Sequence, residues 1–127
     1  MLTYDERAPM PLHESGEDYL ETILILSLEQ EKVRSIDIAE RLDVTKASVS
    51  KAMSSLERKG YVEMGKRDVR LTEKGMDVAE RMLQRHVFFR DLLISAGVDP
   101  VTAAEEGCHM EHCLSDDSFE KLKAKLG

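Results

Sequence analysis

Between Ser35 and Thr72 the chain carries two short amphipathic segments, a tight break, and two alternating apolar stretches around a basic turn. Few folds accommodate that order. Ser35 reads as the N-cap of a helix over 36–42, with Ile36, Ile38, Ala39 and Leu42 at its apolar positions. Asp43-Val44 leaves room only for a tight connection. Thr45 then caps a helix to about Lys59 in which Val49, Met53 and Leu56 are spaced for burial, and Gly60 supplies the stop. Tyr61-Val62-Glu63-Met64 and Val69-Arg70-Leu71-Thr72 alternate as strands about Gly65-Lys66-Arg67-Asp68, the pattern of a hairpin with a basic tip. Two short helices across a tight turn, followed by such a hairpin, make a winged helix-turn-helix.

The flanks are helical. Residues 1–14, with Pro9 and Pro11 and no sustained period, read as a mobile arm. Helix formation starts near Ser15, and from Asp18 to Leu28 one face carries Leu20, Ile23, Leu24 and Leu28, with Asp18, Glu21 and Thr22 grouped beside it. After the hairpin, Thr72-Glu73-Lys74-Gly75 leads into a long helix to about Ala96, with Met76, Ala79, Met82, Leu83 and Phe89 among its apolar positions and Gly97 closing it. Asp99-Pro100 opens another helix through Leu114, and Ser115 begins a short last one to Lys125. The expected fold class is mainly α with a small β-hairpin: an arm and winged helix-turn-helix over 1–74, then a helical half over 75–127. The chain's 127 residues suit one domain or two small halves sharing a core, stable without disulfides.

The net charge of −7 disguises an uneven distribution. From Lys32 to Lys74 eleven basic residues face seven acidic ones, a local balance of +4, and the remainder carries −11. Cations that reach phosphates decide nucleic-acid affinity, so an acidic protein with a basic middle can grip a duplex. The candidate contacts are Thr45, Lys46, Ser48, Ser50 and Lys51 on the outer face of the second short helix, Ser35 ahead of it, and Lys66 and Arg67 at the hairpin tip. The expected partner is double-stranded DNA. Ile23-Leu24-Ile25-Leu26, the longest apolar run of the first half, is far below the roughly 20 residues of a bilayer span. With no basic-then-apolar leader, the expected location is the cytoplasm, with no membrane partner. If Cys108 and Cys113 share one helix, their Cα atoms stand roughly 8 to 9 Å apart, beyond disulfide reach.

A second constellation lies in the fifth helix, Cys108-His109-Met110-Glu111-His112-Cys113. Cys108, Glu111 and His112 fall at i, i+3 and i+4 and share one side of a helix. Asp18 and Glu21 are i, i+3 on the first helix, and His86 sits on the long fourth. Carboxylates with imidazoles favour manganese(II) and iron(II), and a thiolate adds preference for iron, cobalt or zinc. Two other readings compete. Cys108-x-x-Glu111-His112 mimics an inverted zincin hydrolase, though with cysteine in place of the first histidine and no sign of a substrate pocket. Alternatively, a winged-helix regulator without metal response would simply pack these side chains.

The chain resembles the diphtheria-toxin-repressor family of metal-dependent transcription regulators, especially its short manganese-responsive branch, over roughly residues 15–125. Glu17-Asp18-Tyr19-Leu20-Glu21-Thr22-Ile23 resembles the family's first helix, Asp37-Ile38-Ala39-Glu40-Arg41-Leu42 its helix-turn-helix entry, and Leu71-Thr72-Glu73-Lys74-Gly75 the junction after its wing. Gln84-Arg85-His86 and Met110-Glu111-His112-Cys113-Leu114-Ser115 resemble its ligand-bearing stretches. The resemblance implies a homodimer that represses metal-uptake genes when activated by manganese(II) or iron(II), with no small-molecule substrate. It implies metal ligands at Asp18, Glu21, His86, Cys108, Glu111 and His112, and makes 75–127 the dimerisation and metal-binding half. Cys108 departs from the manganese branch, which has glutamate there, and matches the iron branch, which in turn has methionine at the place of Asp18. Asp18, Glu21, Glu111 and an ionised Cys108 would carry about −4, matching two divalent ions per subunit, with cobalt, zinc or cadmium as substitutes.

Overall fold

Thr45 is the pivot of the N-terminal half: its Oγ1 accepts the Ser48 backbone N–H at 3.1 Å and starts a helix where the preceding turn must end. The computed structural model describes residues 14–127, so the arm read in the sequence lies outside the described residues apart from Glu14, which is helical. The elements are α1 (Glu14–Glu29), α2 (Ser35–Leu42), α3 (Lys46–Arg58), β1 (Val62–Met64), β2 (Val69–Leu71), α4 (Glu73–Ser95), α5 (Pro100–Met110) and α6 (Asp116–Leu126). β1 and β2 pair antiparallel with Val62 opposite Leu71 and Met64 opposite Val69. The expected fold class holds.

Local chemistry explains most boundaries. Gly60, at φ +84°, and Gly97, at φ +100°, close α3 and α4 in the left-handed conformation that glycine adopts without steric cost. Around both, the next N–H reaches five residues back: Tyr61 to the Leu56 carbonyl at 2.9 Å and Val98 to Leu93 at 3.0 Å. Between α2 and α3 the same turn is made by Asp43 at φ 55°, a conformation that aspartate tolerates better than most side chains.

Three expectations are corrected. The N-cap of α2 is Arg34 and not Ser35, because Asp37 lies three residues beyond Arg34 and its carboxylate accepts the Arg34 backbone N–H at 2.9 Å. α5 ends at Met110 and not at Leu114. Arg85 Nη1 takes the carbonyls of Glu111 at 3.1 Å and Leu114 at 2.6 Å, which turns the chain away from the helix axis. Cys113 therefore stands outside α5, the single-helix argument about the cysteines does not apply, and both thiols are free. Leu28 is 73% exposed, since the buried face of α1 turns toward Leu26 and the returning Val33.

One apolar cluster unites the N-terminal elements with the start of α4: Leu20, Ile23 and Leu24 of α1, Ile38 of α2, Val49, Met53 and Leu56 of α3, and Ala79 and Met82 of α4. A second group sits at the far end, where Phe89 and Phe119 are buried and both lie against Phe88. α1 belongs to the first cluster and also packs along α4, so one helix spans the two halves.

The junction between wing and α4 is tight. Thr72 Oγ1 donates to the Gly60 carbonyl at 2.6 Å, and Lys74 Nζ donates to the Lys59 carbonyl at 2.9 Å while lying 4.3 Å from the Tyr61 ring centre. A Cβ at Gly75 would fall far inside van der Waals distance of the Tyr61 carbonyl oxygen. Gly75→Ala is therefore expected to lower stability by about 1–3 kcal/mol through forced displacement of the wing base. An unchanged urea midpoint for the variant would contradict this packing.

Candidate metal centre

α1 carries Asp18 and Glu21 one turn apart, α4 carries His86, and α5 with the turn after it carries Cys108, Glu111 and His112. All six residues singled out in the sequence converge, in two overlapping groups. The first is Asp18, Cys108, Glu111 and His112, the second Glu21, His86 and Glu111, and within each group one donor atom per residue lies within 4.8 Å of the others. Glu111 belongs to both.

The Glu111 side chain is fully buried, with Oε1 3.3 Å from His112 Nε2 and Oε2 3.4 Å from His86 Nδ1. Both its oxygens and His86 Nδ1 lack a hydrogen-bond partner among the described residues. Buried polar atoms without partners are costly, and three of them set among further oxygen, nitrogen and sulfur donors suit a cation. The residues present fit a divalent metal. Cys108 Sγ stands 4.0 Å from Asp18 Oδ1, which adds a soft donor to the first group.

His112 is held from two sides, with Nε2 2.7 Å from Asp18 Oδ1 and Nδ1 2.8 Å from Glu17 Oε1. Glu17 was missed as a functional residue in the sequence, because its place beside Asp18 carries no spacing signal of its own. Arg85 was also missed. Its buried guanidinium holds the carbonyls of Glu111 and Leu114, pairs with Asp116, and lies 5.1 Å from the Phe119 ring centre, so α4 anchors the turn that bears the ligands.

Electrostatics follow from this crowding. Burial, then the neighbouring Glu111 and the charge of Asp18, push the Glu21 carboxyl up to about 9. Burial would raise Glu111 too, but the His112, His86 and Glu21 groups facing it outweigh that and hold it down at about 2. Burial opposes protonation of His112, yet Asp18, Cys108, Glu111 and Glu17 around the ring raise it well above the usual histidine range. For Cys108 the contact with His112 favours the thiolate, whereas burial and the charges of Glu111, Asp18 and Glu21 prevail and raise the thiol.

The residues singled out for DNA lie on α2, α3 and the 65–68 turn. Lys46, Ser48, Ser50 and Lys51 are exposed on α3, Thr45 caps it, Ser35 is half-buried in the first turn of α2, and Lys66 and Arg67 are exposed at the wing tip. Thr45 Oγ1 also donates to Ser48 Oγ at 2.9 Å, so both hydroxyls serve the cap.

A helix-turn-helix whose preceding helix also reaches into an acid, imidazole and thiol cluster defines a class, the DNA-binding regulators that respond to metal. Residues 11–68 match the iron dependent repressor N-terminal DNA binding domain, and residues 72–127 match the iron dependent repressor metal binding and dimerisation domain. The chain belongs to the iron-dependent repressor family, and it is a metal-responsive, DNA-binding transcription regulator and not an enzyme. It is 35% identical over 115 residues to an uncharacterised HTH-type transcriptional regulator of Methanocaldococcus jannaschii, covering 88% of this chain and 92% of that one. It is 35% identical over 109 residues to the HTH-type transcriptional regulator MntR of Lysinibacillus sphaericus, covering 85% and 78% of the two. A solved manganese-dependent transcriptional repressor in complex with manganese superposes with a TM-score of 0.79 at 31% identity, over 87% of this chain and 52% of that one.

The raised carboxyl predicts how the metal-free chain responds to pH. Unfolded, Glu21 loses its proton near 4.5; folded, it keeps it up to about 9, so across that window the unfolded state binds fewer protons and stability falls as pH rises. His112, also raised, adds to the fall above its ordinary 6.5, while the lowered Glu111 acts only below 4.5. Thermal melts in chelator are expected to show a Tm that drops from pH 5.5 to 8.5, with a shallower drop in Glu21→Gln. A flat or rising Tm would contradict the arrangement.

Proposed function

We propose that the chain is a homodimeric repressor activated by manganese(II) or iron(II), two ions per subunit, with residues 1–74 reading DNA and 75–127 dimerising. The observation that carries this reading is Glu111, fully buried between two groups of donors with both oxygens unpartnered. Asp18, Cys108, Glu111 and His112 would hold one ion and Glu21, His86 and Glu111 the other. A bound divalent cation would supply the positive charge that lets these carboxylates stay ionised together.

The chain's own residues then set the response. Asp18 and Glu21 ride on α1, whose Leu20, Ile23 and Leu24 are packed into the cluster that holds α2 and α3. The position of α1 against α4 and α5 therefore fixes where α3 points. Moving such a device from mostly inactive to mostly active requires a ligand that prefers the active form about 10⁴-fold.

Lys46 and Lys51 on α3 and Lys66 and Arg67 on the wing are the proposed phosphate contacts, with Ser48 and Ser50 nearer base edges and Thr45 and Ser35 at the helix starts. One recognition helix reads one half-site, so a two-fold partner is needed for a palindrome. An open groove on α4 and α6 lined by Leu83, Val87, Phe88, Leu92 and Leu126 supports a dimer contact there.

Titration of manganese(II) or iron(II) into the chelated protein is expected to produce a dimer on a palindromic duplex, read by sedimentation; a monomer in the metal-loaded complex would refute it. Lys46→Ala with Lys51→Ala is expected to weaken specific and random duplex alike and to reduce the salt slope by about two. Unchanged affinity and slope would remove α3 from the interface.

Cys108 bears on which ion is preferred. A thiolate is softer than a carboxylate and must shed a proton to ligate, so Cys108 tilts the first group toward iron(II), cobalt or zinc. Anaerobic DNA-binding titrations of Cys108→Glu are expected to shift activation toward manganese(II). Midpoints unchanged for manganese(II), iron(II) and cobalt(II) would show that Cys108 only packs.

A further inference from the structure

We propose that Glu17 is a positioning residue that keeps the proton of His112 on Nδ1 and so presents Nε2 to the cation. The inference rests on the metal reading above and adds a residue outside both donor groups. His112 Nε2 faces the first group, 2.7 Å from Asp18 Oδ1 and 3.3 Å from Glu111 Oε1, while Nδ1 points the other way, 2.8 Å from Glu17 Oε1. A neutral imidazole has one N–H and one lone pair, and a ring that ligates through Nε2 must carry its proton on Nδ1. That N–H needs an acceptor. The His112 side chain is only 3% exposed, so water is a poor substitute, and Glu17 supplies a carboxylate at hydrogen-bond distance.

Glu17 and Asp18 are neighbours on α1, and between them they take both nitrogens of one ring contributed from the other half of the chain. Their roles differ because of where they point. Asp18 belongs to the first donor group, and Glu17 belongs to neither group. Turning the ring over about Cβ–Cγ would put carbon Cδ2 where Nδ1 meets Glu17 and carbon Cε1 where Nε2 meets Asp18, so the bond to Glu17 holds the ring against that turn. Glu17 thus fixes both the tautomer and the ring's orientation, and ties them to the position of α1.

The test uses cobalt(II) as the probe, with affinity measured by competition against a chelator in the wild type, Glu17→Ala, Glu17→Gln, His112→Ala and the Glu17→Ala, His112→Ala double variant. Proton NMR of the cobalt-loaded protein would follow an exchangeable, hyperfine-shifted N–H signal that is absent in His112→Ala. Glu17→Ala is expected to weaken cobalt binding about 10–100-fold and to lose that signal to exchange. Glu17→Gln, whose amide oxygen still accepts, is expected to lose less affinity and keep the signal. In the His112→Ala background the Glu17 substitution is expected to cost nothing further, and if that background binds no cobalt the N–H signal decides. Wild-type affinity in Glu17→Ala, an equal loss without His112, or a protected N–H in Glu17→Ala would each overturn the proposal alone. Failure of the wild type to bind cobalt would overturn the metal reading with it.

Discussion

The rest of the molecule is arranged around a carboxylate that has nowhere to hide its charge. Glu111 is fully buried, and neither oxygen makes a hydrogen bond among the described residues. An isolated ionised group in such a place is prohibitively costly, so what surrounds it must answer it. Two imidazoles approach from different elements, His86 from α4 and His112 from the turn after α5, and Glu21 opposite keeps its own proton. Arg85 completes the support by gripping the backbone at Glu111 and Leu114, which fixes the turn without touching the acidic oxygens. The protein has thus built an acidic chamber whose balance is provisional, relying on protons where a metal ion would serve better.

The coupling between sensing and reading follows from the double use of α1. Its apolar face is part of the cluster that includes α2 and α3, and its acidic positions look toward α4 and α5. A rigid helix cannot answer one side without moving the other. No flexible linker dilutes this, since Thr72 and Lys74 bond back to Gly60 and Lys59 and Gly75 lies under Tyr61. α3 and the chamber are therefore parts of one packed body.

Much of this was legible in the sequence because it rests on local rules. Thr45, Gly60, Thr72, Gly97 and Asp99 mark helix ends through caps and turns that depend on near neighbours only, and each lies where its chemistry placed it. The six members of the chamber were legible too, by spacing and family resemblance, though nothing in the spacing revealed that Glu111 would be shared. What escaped depends on distant partners. α5 stops early because Arg85, 26 residues before Glu111, takes its carbonyl, and Leu28 points outward because Leu26 follows Val33 into the core. Glu17 owes its place to a ring 95 residues away. Ser35 yielded the cap to Arg34 since Asp37 was better spaced to answer the earlier residue.

The separation of 94 positions from Asp18 to His112 also imposes an order of birth. At roughly 5–20 residues per second, the ribosome delivers the second member of the pair about 5–20 s after the first. Within that interval α1, α2 and α3 emerge and can bury their apolar faces together, and Glu21 gains His86 of α4 before Asp18 gains His112. Both donor groups include Glu111, so neither can close until the turn after α5 has emerged, and the helices of the N-terminal half are made before either group is complete.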